Sequence, residues 1–302
     1  MRSSIRHATL AVSLLALAGT ACTTQSTVTS APATSARASG QVTTAVDDKA
    51  AGLVPGDVKA RGTLTIASAS TNAPMEFLDA DGKTFIGFDI DFSDAIAATL
   101  GLKATHINST FDAIIPGLAA RKYHMGMSGF FMTEARQRVV DFVPYLRDGS
   151  ALVVPRGNPL KLAMDPVTLC GHRVAGEKGS VQGSEYLPAI SKDCQAAGKK
   201  PVDVLLFPKL DEAHLALTGG RADAIMEDSI PSGYRAARSN GKYEVAPGDT
   251  YKPVMTGIAF PKASPLAPAV QAAVKSLASD GTLERLMDKW SIPKAALLPD
   301  YS

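Results

Sequence analysis

Phe88, Phe92, Ile96 and Leu100 recur at four-residue intervals, which lays one apolar stripe along a helix and requires a core beneath it. Gly101 follows as a natural helix stop, because glycine reaches left-handed backbone angles without a Cβ penalty. Asp89, Asp91 and Asp94 crowd the early turns, where a helix N-terminus favours negative charge. Upstream, Gly62-Thr-Leu-Thr-Ile-Ala reads as a short strand, and an Asp- and Gly-rich turn at residues 79–82 leads towards the helix. A second unit begins at Phe111: Ile114, Ile115 and Leu118 form a helical apolar face, Arg121 and Lys122 close it, and residues 125–128 read as a buried strand. The stretch from Leu210 repeats that order of apolar residue, Asp, short helix, basic residue and strand. Such an echo predicts two similar α/β lobes. On this alignment Asp223, read as structural, stands opposite His124, while Asp228 falls at a strand's carboxyl end, where open α/β sheets bind ligands. Residues 150–155 and 256–261 are apolar runs suited to crossing between lobes. Residues 266–277, with Leu283, Leu286 and Trp290, predict two closing helices back on the first lobe. Residues 292–302 carry no pattern.

The length of 302 residues fits roughly two domains. A net charge of +2, without a basic patch interleaved with aromatics, argues against a nucleic-acid partner. At the N-terminus, Arg2 and Arg6 precede an apolar run at residues 8–18, which is a secretory leader rather than a span of about 20 residues. The leader, residues 1–22, ends in small residues before Cys22, which resemble a bacterial lipobox with Gly19 where Leu is usual. Acylation of Cys22 would anchor the chain to a membrane. Residues 23–57, rich in Ser, Thr, Ala and Gly with no aromatic residue, read as a flexible tether. In an exported chain, the remaining pair Cys170 and Cys194 reads as one disulfide; two buried thiols are the alternative.

The chemistry concentrates after Ser128. Thr133 is a good helix cap and Arg136 lies in the first turn that follows. A strand, a polar loop and a helix start together present backbone N–H groups and a guanidinium to one point, which makes an anion site suited to a carboxylate. A solvated helix arginine, like Arg138, is the plainer reading. Phe111, at a helix entry, reads either as core or as a ligand contact. Gly179 and Ser180 form a second Gly-bearing turn, either an amide site for an anionic group or a simple cap. His7, His106, His124, His172 and His214 show no metal-ligand spacing, and neither Cys170 nor Cys194 has a neighbouring His that would activate it. No metal, cofactor or catalytic constellation is expected.

Gly87-Phe-Asp-Ile-Asp-Phe, then Thr133, Arg136, Val140-Asp141-Phe142 and Pro144-Tyr145, then the strand ending at Asp228, together resemble the family 3 extracellular solute-binding proteins. These are polar amino-acid-binding proteins of bacterial ABC importers, and the resemblance runs from Arg61 to Trp290. It implies an α/β periplasmic-binding-protein type II fold, two lobes joined by two crossover strands. Lobe one would comprise residues 58–150 and 260–302, and lobe two residues 151–259. By the same resemblance Arg136 binds the ligand α-carboxylate, Asp228 its α-amino group, and Phe111 stacks on it. Asn72, Ser128, Gly129, Phe131, Thr133 and Ser180 complete the site, and the lobes close about a hinge. The implied partners are an L-amino acid, separate permease and ATPase chains, and a membrane reached through Cys22, with the protein itself a monomer.

The departures bear on the ligand. Asn72 stands where an aromatic is common, and Ala69 where an acidic residue holds a cationic side chain. Phe130 and Phe131 replace smaller residues, His124 replaces an Asp, and Val181 a hydroxyl residue. Together, Ala69, Phe130 and Phe131 favour a neutral or modestly apolar ligand side chain. The alternatives are an exported dehydratase or hydrolase on the same fold, or a ligand-sensing partner of a receptor.

Overall fold

The computed structural model describes residues 44–301. The expected leader, the acylation site Cys22 and the tether up to residue 43 lie outside the described residues. No helix among the described residues is long and apolar enough to cross a membrane.

The chain opens with two short helices, α1 (Asp48–Gly52) and α2 (Gly56–Arg61), then strand β1 (Thr63–Ser68). A small antiparallel sheet of β2 (Thr71–Asn72), β3 (Glu76–Leu78) and β4 (Phe85–Ile86) leads into α3 (Phe88–Thr99). Next come β5 (Lys103–Asn108), α4 (Phe111–Ala119), β6 (Met125–Gly126) and the single turn α5 (Glu134–Gln137). The long β7 (Val140–Pro155) crosses to the second lobe. There β8 (Arg173–Glu177), α6 (Leu187–Ala196), β9 (Asp203–Phe207), α7 (Leu210–Thr218), β10 (Ala224–Asp228), α8 (Ser229–Arg238) and β11 (Tyr243–Val245) follow. Strand β12 (Tyr251–Pro261) returns, and α9 (Ala267–Ser279) and α10 (Thr282–Trp290) close the first lobe.

The strands form one sheet in the order β5-β1-β6-β12-β7-β10-β8-β9, with β11 paired to β7. Each lobe therefore contributes a parallel triad whose first strand is central, β5-β1-β6 on one side and β10-β8-β9 on the other. The antiparallel strands β12 and β7 lie between the triads and belong to both lobes. The internal echo in the sequence is this repeated triad, and the two apolar runs are the two crossover strands. The helices α4 and α7 occupy equivalent places in the two units, between β5 and β6 and between β9 and β10.

Each lobe has its own core. In the first, Phe88, Phe92, Ile96 and Leu100 all face inward and meet Val270, Val274 and Leu277 of α9 and Leu283 and Leu286 of α10. The aromatic rings of Phe88, Phe92 and Tyr145 pack with centroids 5.7–6.2 Å apart. In the second, Leu152, Val154, Leu169, Val174, Leu187 and Ile190 form the larger cluster, beside which Cys170 and Cys194 are joined in a disulfide.

One expectation needs correction. Residues 48–57, assigned to the tether, are folded: Asp47 accepts hydrogen bonds from the Lys49 and Ala50 amides, and Ala50 and Val54, with Val58 beyond them, are buried against the first core. Their four-residue spacing is the signal that the Ser/Ala-rich composition obscured. Asp89, in the first turn of α3 as expected, is fully buried and holds the Gly129 amide (3.0 Å) and the Tyr145 hydroxyl (2.9 Å). The C-terminal tail, which carries no sequence pattern, packs through the Tyr301 hydroxyl donating to the Pro144 carbonyl at 2.9 Å and through Leu297 bridging Leu146 on the crossover strand.

Candidate functional site

The carboxyl ends of both triads face one another across a cleft, the position where open α/β sheets bind ligands. The empty space in the cleft, open mouth included, is about 350 Å³. Asn72, Phe111, Gly129, Phe131 and Arg136 line it from the first lobe. Glu177, Ser180, Val181, Gln182, Leu210, Met226, Glu227 and Asp228 line it from the second.

Arg136 sits in α5, whose start is capped by the Thr133 hydroxyl accepting from the Arg136 amide. Its guanidinium donates to the Phe131 carbonyl and, across the cleft, to the Gly179 carbonyl, each at 3.0 Å. It also lies 5.3 Å from the Phe111 ring centroid and 5.6 Å from that of Phe130, and those two rings stack at 4.9 Å. Two aromatic faces and two carbonyls thus fix the cation, and its remaining N–H donors are directed by that frame. Burial pulls Arg136 below its usual range while the charge of Asp228 pulls the other way.

Gly129 has φ +59°, and a Cβ there would meet Asn72 Nδ2 and Asp228 Oδ2, each at 3.3 Å. Glycine therefore lets the loop after β6 approach the opposing carboxylate. Gly179, with φ +82°, plays the same part in lobe two: a Cβ would fall 2.8 Å from the Asp112 backbone.

Asp228 ends β10 and accepts from Gln182 Nε2 at 2.7 Å. The same amide donates to Ser150 on the crossover strand at 2.9 Å. Burial, reinforced by Asp148, pushes Asp228 well above the ordinary carboxylate range. Glu177 ends β8 at the equivalent position and is only 6% exposed. Burial pushes it up to about 8, with Arg235 and the Leu210 amide acting in opposition. Glu227 differs: burial would raise it, but the charge and 3.0 Å hydrogen bond of His214 hold it below the usual range.

Two expected site residues face elsewhere. The Ser128 hydroxyl is buried, donating to Glu76 Oε1 at 2.7 Å and accepting from the Ala69 amide. The Thr133 hydroxyl caps α5 and does not line the cleft. Ser180, which does line it, donates its hydroxyl to the Glu177 carbonyl. Behind the Ser128–Gly129 loop, burial lifts Asp89 to about 7 and Glu76 well above its usual range, so this acid layer favours the protonated form.

Sequence reasoning missed Glu177, Gln182, Leu210, Met226 and Glu227. Glu177 was legible by the rule that located Asp228, since both are the last residues of parallel strands. Gln182 was not: the chain passes through a π-helical turn at Gln182–Tyr186, which rotates that amide towards Asp228.

The model of the bacterial extracellular solute-binding proteins, family 3, matches residues 64–293. The chain is 36% identical over 247 residues to the arginine-binding protein ArgT of Corynebacterium glutamicum, covering 81% of this chain and 79% of that protein. It is 30% identical to the lysine/arginine/ornithine-binding periplasmic protein of Escherichia coli, over 76% of this chain and 87% of that one. Among solved structures, an ancestral arginine-binding protein bound to arginine superposes with a TM-score of 0.69 at 32% identity, covering 76% of this chain and 98% of that chain.

Proposed function

The chain belongs to the bacterial extracellular solute-binding proteins of family 3, and on that premise we propose that it captures an L-amino acid between its lobes for an ABC importer. The observation that carries this reading is the opposition of Arg136 and Asp228 across one cleft. A guanidinium and a carboxylate so placed complement the α-carboxylate and α-ammonium of a zwitterion. Phe111 supplies an apolar wall, and the Gly129 and Gly179 turns let the two lobes approach closely. The ammonium would draw the Asp228 proton off, since an opposite charge favours the ionised carboxylate.

The expected lobe boundaries, 150/151 and 259/260, lie within β7 and β12, and bending there would be helped by the register shifts of β12 at residues 251–254 and 256–257. The closed form docks on a permease with its ATPase, as a monomer. Export and acylation at Cys22 hold it at the membrane; a Cys22→Ala chain should move from the membrane fraction to the soluble one.

The test is a thermal-shift screen of the full chain, shown ligand-free by mass spectrometry, against the common L-amino acids, followed by calorimetry. Ligand binding to the folded state alone raises the melting temperature by mass action. A selective shift with one or a few amino acids is expected. No shift with any of them would remove the amino-acid reading.

A further inference from the structure

For a neutral amino acid the cleft holds one acid too many. Four ionisable side chains line it: Arg136, Glu177, Glu227 and Asp228. Glu227 is hydrogen-bonded to His214 at 3.0 Å. What remains is one cation and two buried carboxyl groups, while a zwitterion with a neutral side chain answers only Arg136 and Asp228.

Glu177 is the carboxylate left over. Among the described residues no ion pair within 4.0 Å reaches it, and two of its charged neighbours are engaged elsewhere. Asp112 pairs with Lys178 at 2.8 Å, and Arg235 pairs with Asp211 at 3.1 Å and also donates to the Thr71 carbonyl. Lys209, beside the same groove, is the residue before α7.

Glu177 also sits at a junction. It lines both the clamp cavity and a second groove between the lobes, bounded by Ala69, Thr71, Asn108, Thr110 and Lys209. Phe111 is the other side chain shared by the two spaces. A ligand held at its α-carbon by Arg136 and Asp228 would run its side chain past the Phe111 ring and reach Glu177.

Resting on the amino-acid reading of this cleft, we propose that Glu177 is the specificity residue for a cationic ligand side chain, and that the substrate is a basic L-amino acid. The acidic group absent from lobe one, where Ala69 is buried, is supplied from lobe two across the same groove. The neutral side chain expected from Ala69 is thereby replaced: its position lacks a carboxylate, but the cleft does not.

The experiment is calorimetric titration of the ligand-free full chain with L-arginine and with L-citrulline, its neutral near-isostere. The wild-type protein should prefer L-arginine by about 10- to 100-fold, the scale of one charge-assisted hydrogen bond. Glu177→Gln, which keeps an acceptor for the Leu210 amide, should remove that preference and leave L-citrulline affinity within about twofold. A second readout needs no variant. Ionising a buried Glu177 against a cation releases a proton near neutral pH, so the L-arginine enthalpy should depend on the buffer's ionisation enthalpy. The L-citrulline enthalpy, which includes any release from Asp228, should depend on it less. An arginine-to-citrulline ratio unchanged in Glu177→Gln, with equal proton release, overturns the assignment. Tight binding of neutral amino acids with no preference for L-arginine overturns it too while leaving the clamp intact, and binding of no amino acid by wild type overturns the underlying reading of the cleft instead.

Discussion

The two lobes are built to one plan and equipped with opposite chemistry. Each places its first strand at the centre of a parallel triad, and each pins that strand's start in the same way. The Thr65 amide donates to His124 Nδ1 at 2.9 Å, and the Arg173 amide to Asp223 Oδ2 at 2.8 Å. Each then sends a nine-residue helix, α4 or α7, across the sheet. At the strand ends the likeness stops. Lobe one presents a guanidinium framed by aromatic rings, and lobe two presents carboxylates. A repeated scaffold sets where ligand groups stand, while the residues ending each strand set the charge they meet. The cleft sets the two groups against one another.

Breaking the positive half of that comparison has the largest expected effect. Arg136→Ala should weaken amino-acid binding by at least about 100-fold, the scale of removing one partner of a buried charge pair. The second lobe's core does not use Arg136, and α5 is capped by Thr133, so the ligand-free melting temperature should stay within a few degrees. Calorimetric affinity within tenfold of wild type would break the assignment of the carboxylate site.

The lobes also differ in how they are held together. Lobe one closes α9 and α10 over a broad apolar core, while lobe two carries the Cys170–Cys194 link, which joins residues 24 apart in sequence. A loop of that size constrains the unfolded chain by about 3 kcal/mol in the chain-entropy model. Reduction should therefore lower the melting temperature by roughly 6–12 °C, at about 2–4 °C per kcal/mol for a chain of this size. Hydrogen exchange should show the loss in α6 and β8 before α3 and α9. An unchanged melting temperature with reductant would show that the lobe-two core holds without its link.

A smaller and pH-dependent difference comes from the buried acids. Asp89, in lobe one, rises from 3.8 to about 7; Asp148, at the crossover, to about 6; and Glu177, in lobe two, from 4.5 to about 8. Folding favours their protonated forms, so their contribution is full below the unfolded values and is lost as pH climbs through the folded ones. Groups held low, such as Glu227 and Asp223, act oppositely and lose their contribution only in acid. The ligand-free protein should thus melt at a lower temperature at pH 8.5 than at pH 5.5. Asp89→Asn should flatten that slope, since the amide can accept from Gly129 and donate to Tyr145. An Asp89→Asn melting profile as steep as wild type would place the dependence in the other buried acids, Glu76, Asp148 and Glu177.

Much of this was legible beforehand because it rests on local order. The stripe from Phe88 to Leu100, the repeated unit at Phe111 and Leu210, and Arg136 behind a capping Thr are all patterns within a few residues. What escaped depends on contacts between distant segments. Ser128 lies beside the ligand loop in sequence, yet Glu76 turns its hydroxyl away, and Gln182 reaches Asp228 only through a π-helical turn. Ala69 shows the same limit: the carboxyl group that shares its groove, Glu177, is brought there by the second lobe. A residue missing from one position says little until the opposite wall is known.

The weakest link across the cleft sharpens the comparison most finely. Lys178 of lobe two pairs with Asp112 of lobe one at 2.8 Å, and Asp112 is held below the usual carboxylate range by that bond and by the Thr110 hydroxyl. The lysine side chain is 62% exposed, so water and salt compete for it, and exposed pairs of this kind contribute little. Lys178→Ala should therefore weaken ligand affinity about threefold or less, the change appearing as faster dissociation in stopped-flow measurements, because the pair forms only when the lobes meet. Raising the salt from 0.05 to about 0.5 M should reproduce much of that change in the wild-type protein and little further change in the variant. A loss of tenfold or more, insensitive to salt, would instead mean that Lys178 touches the ligand, and that lobe two carries a cation of its own.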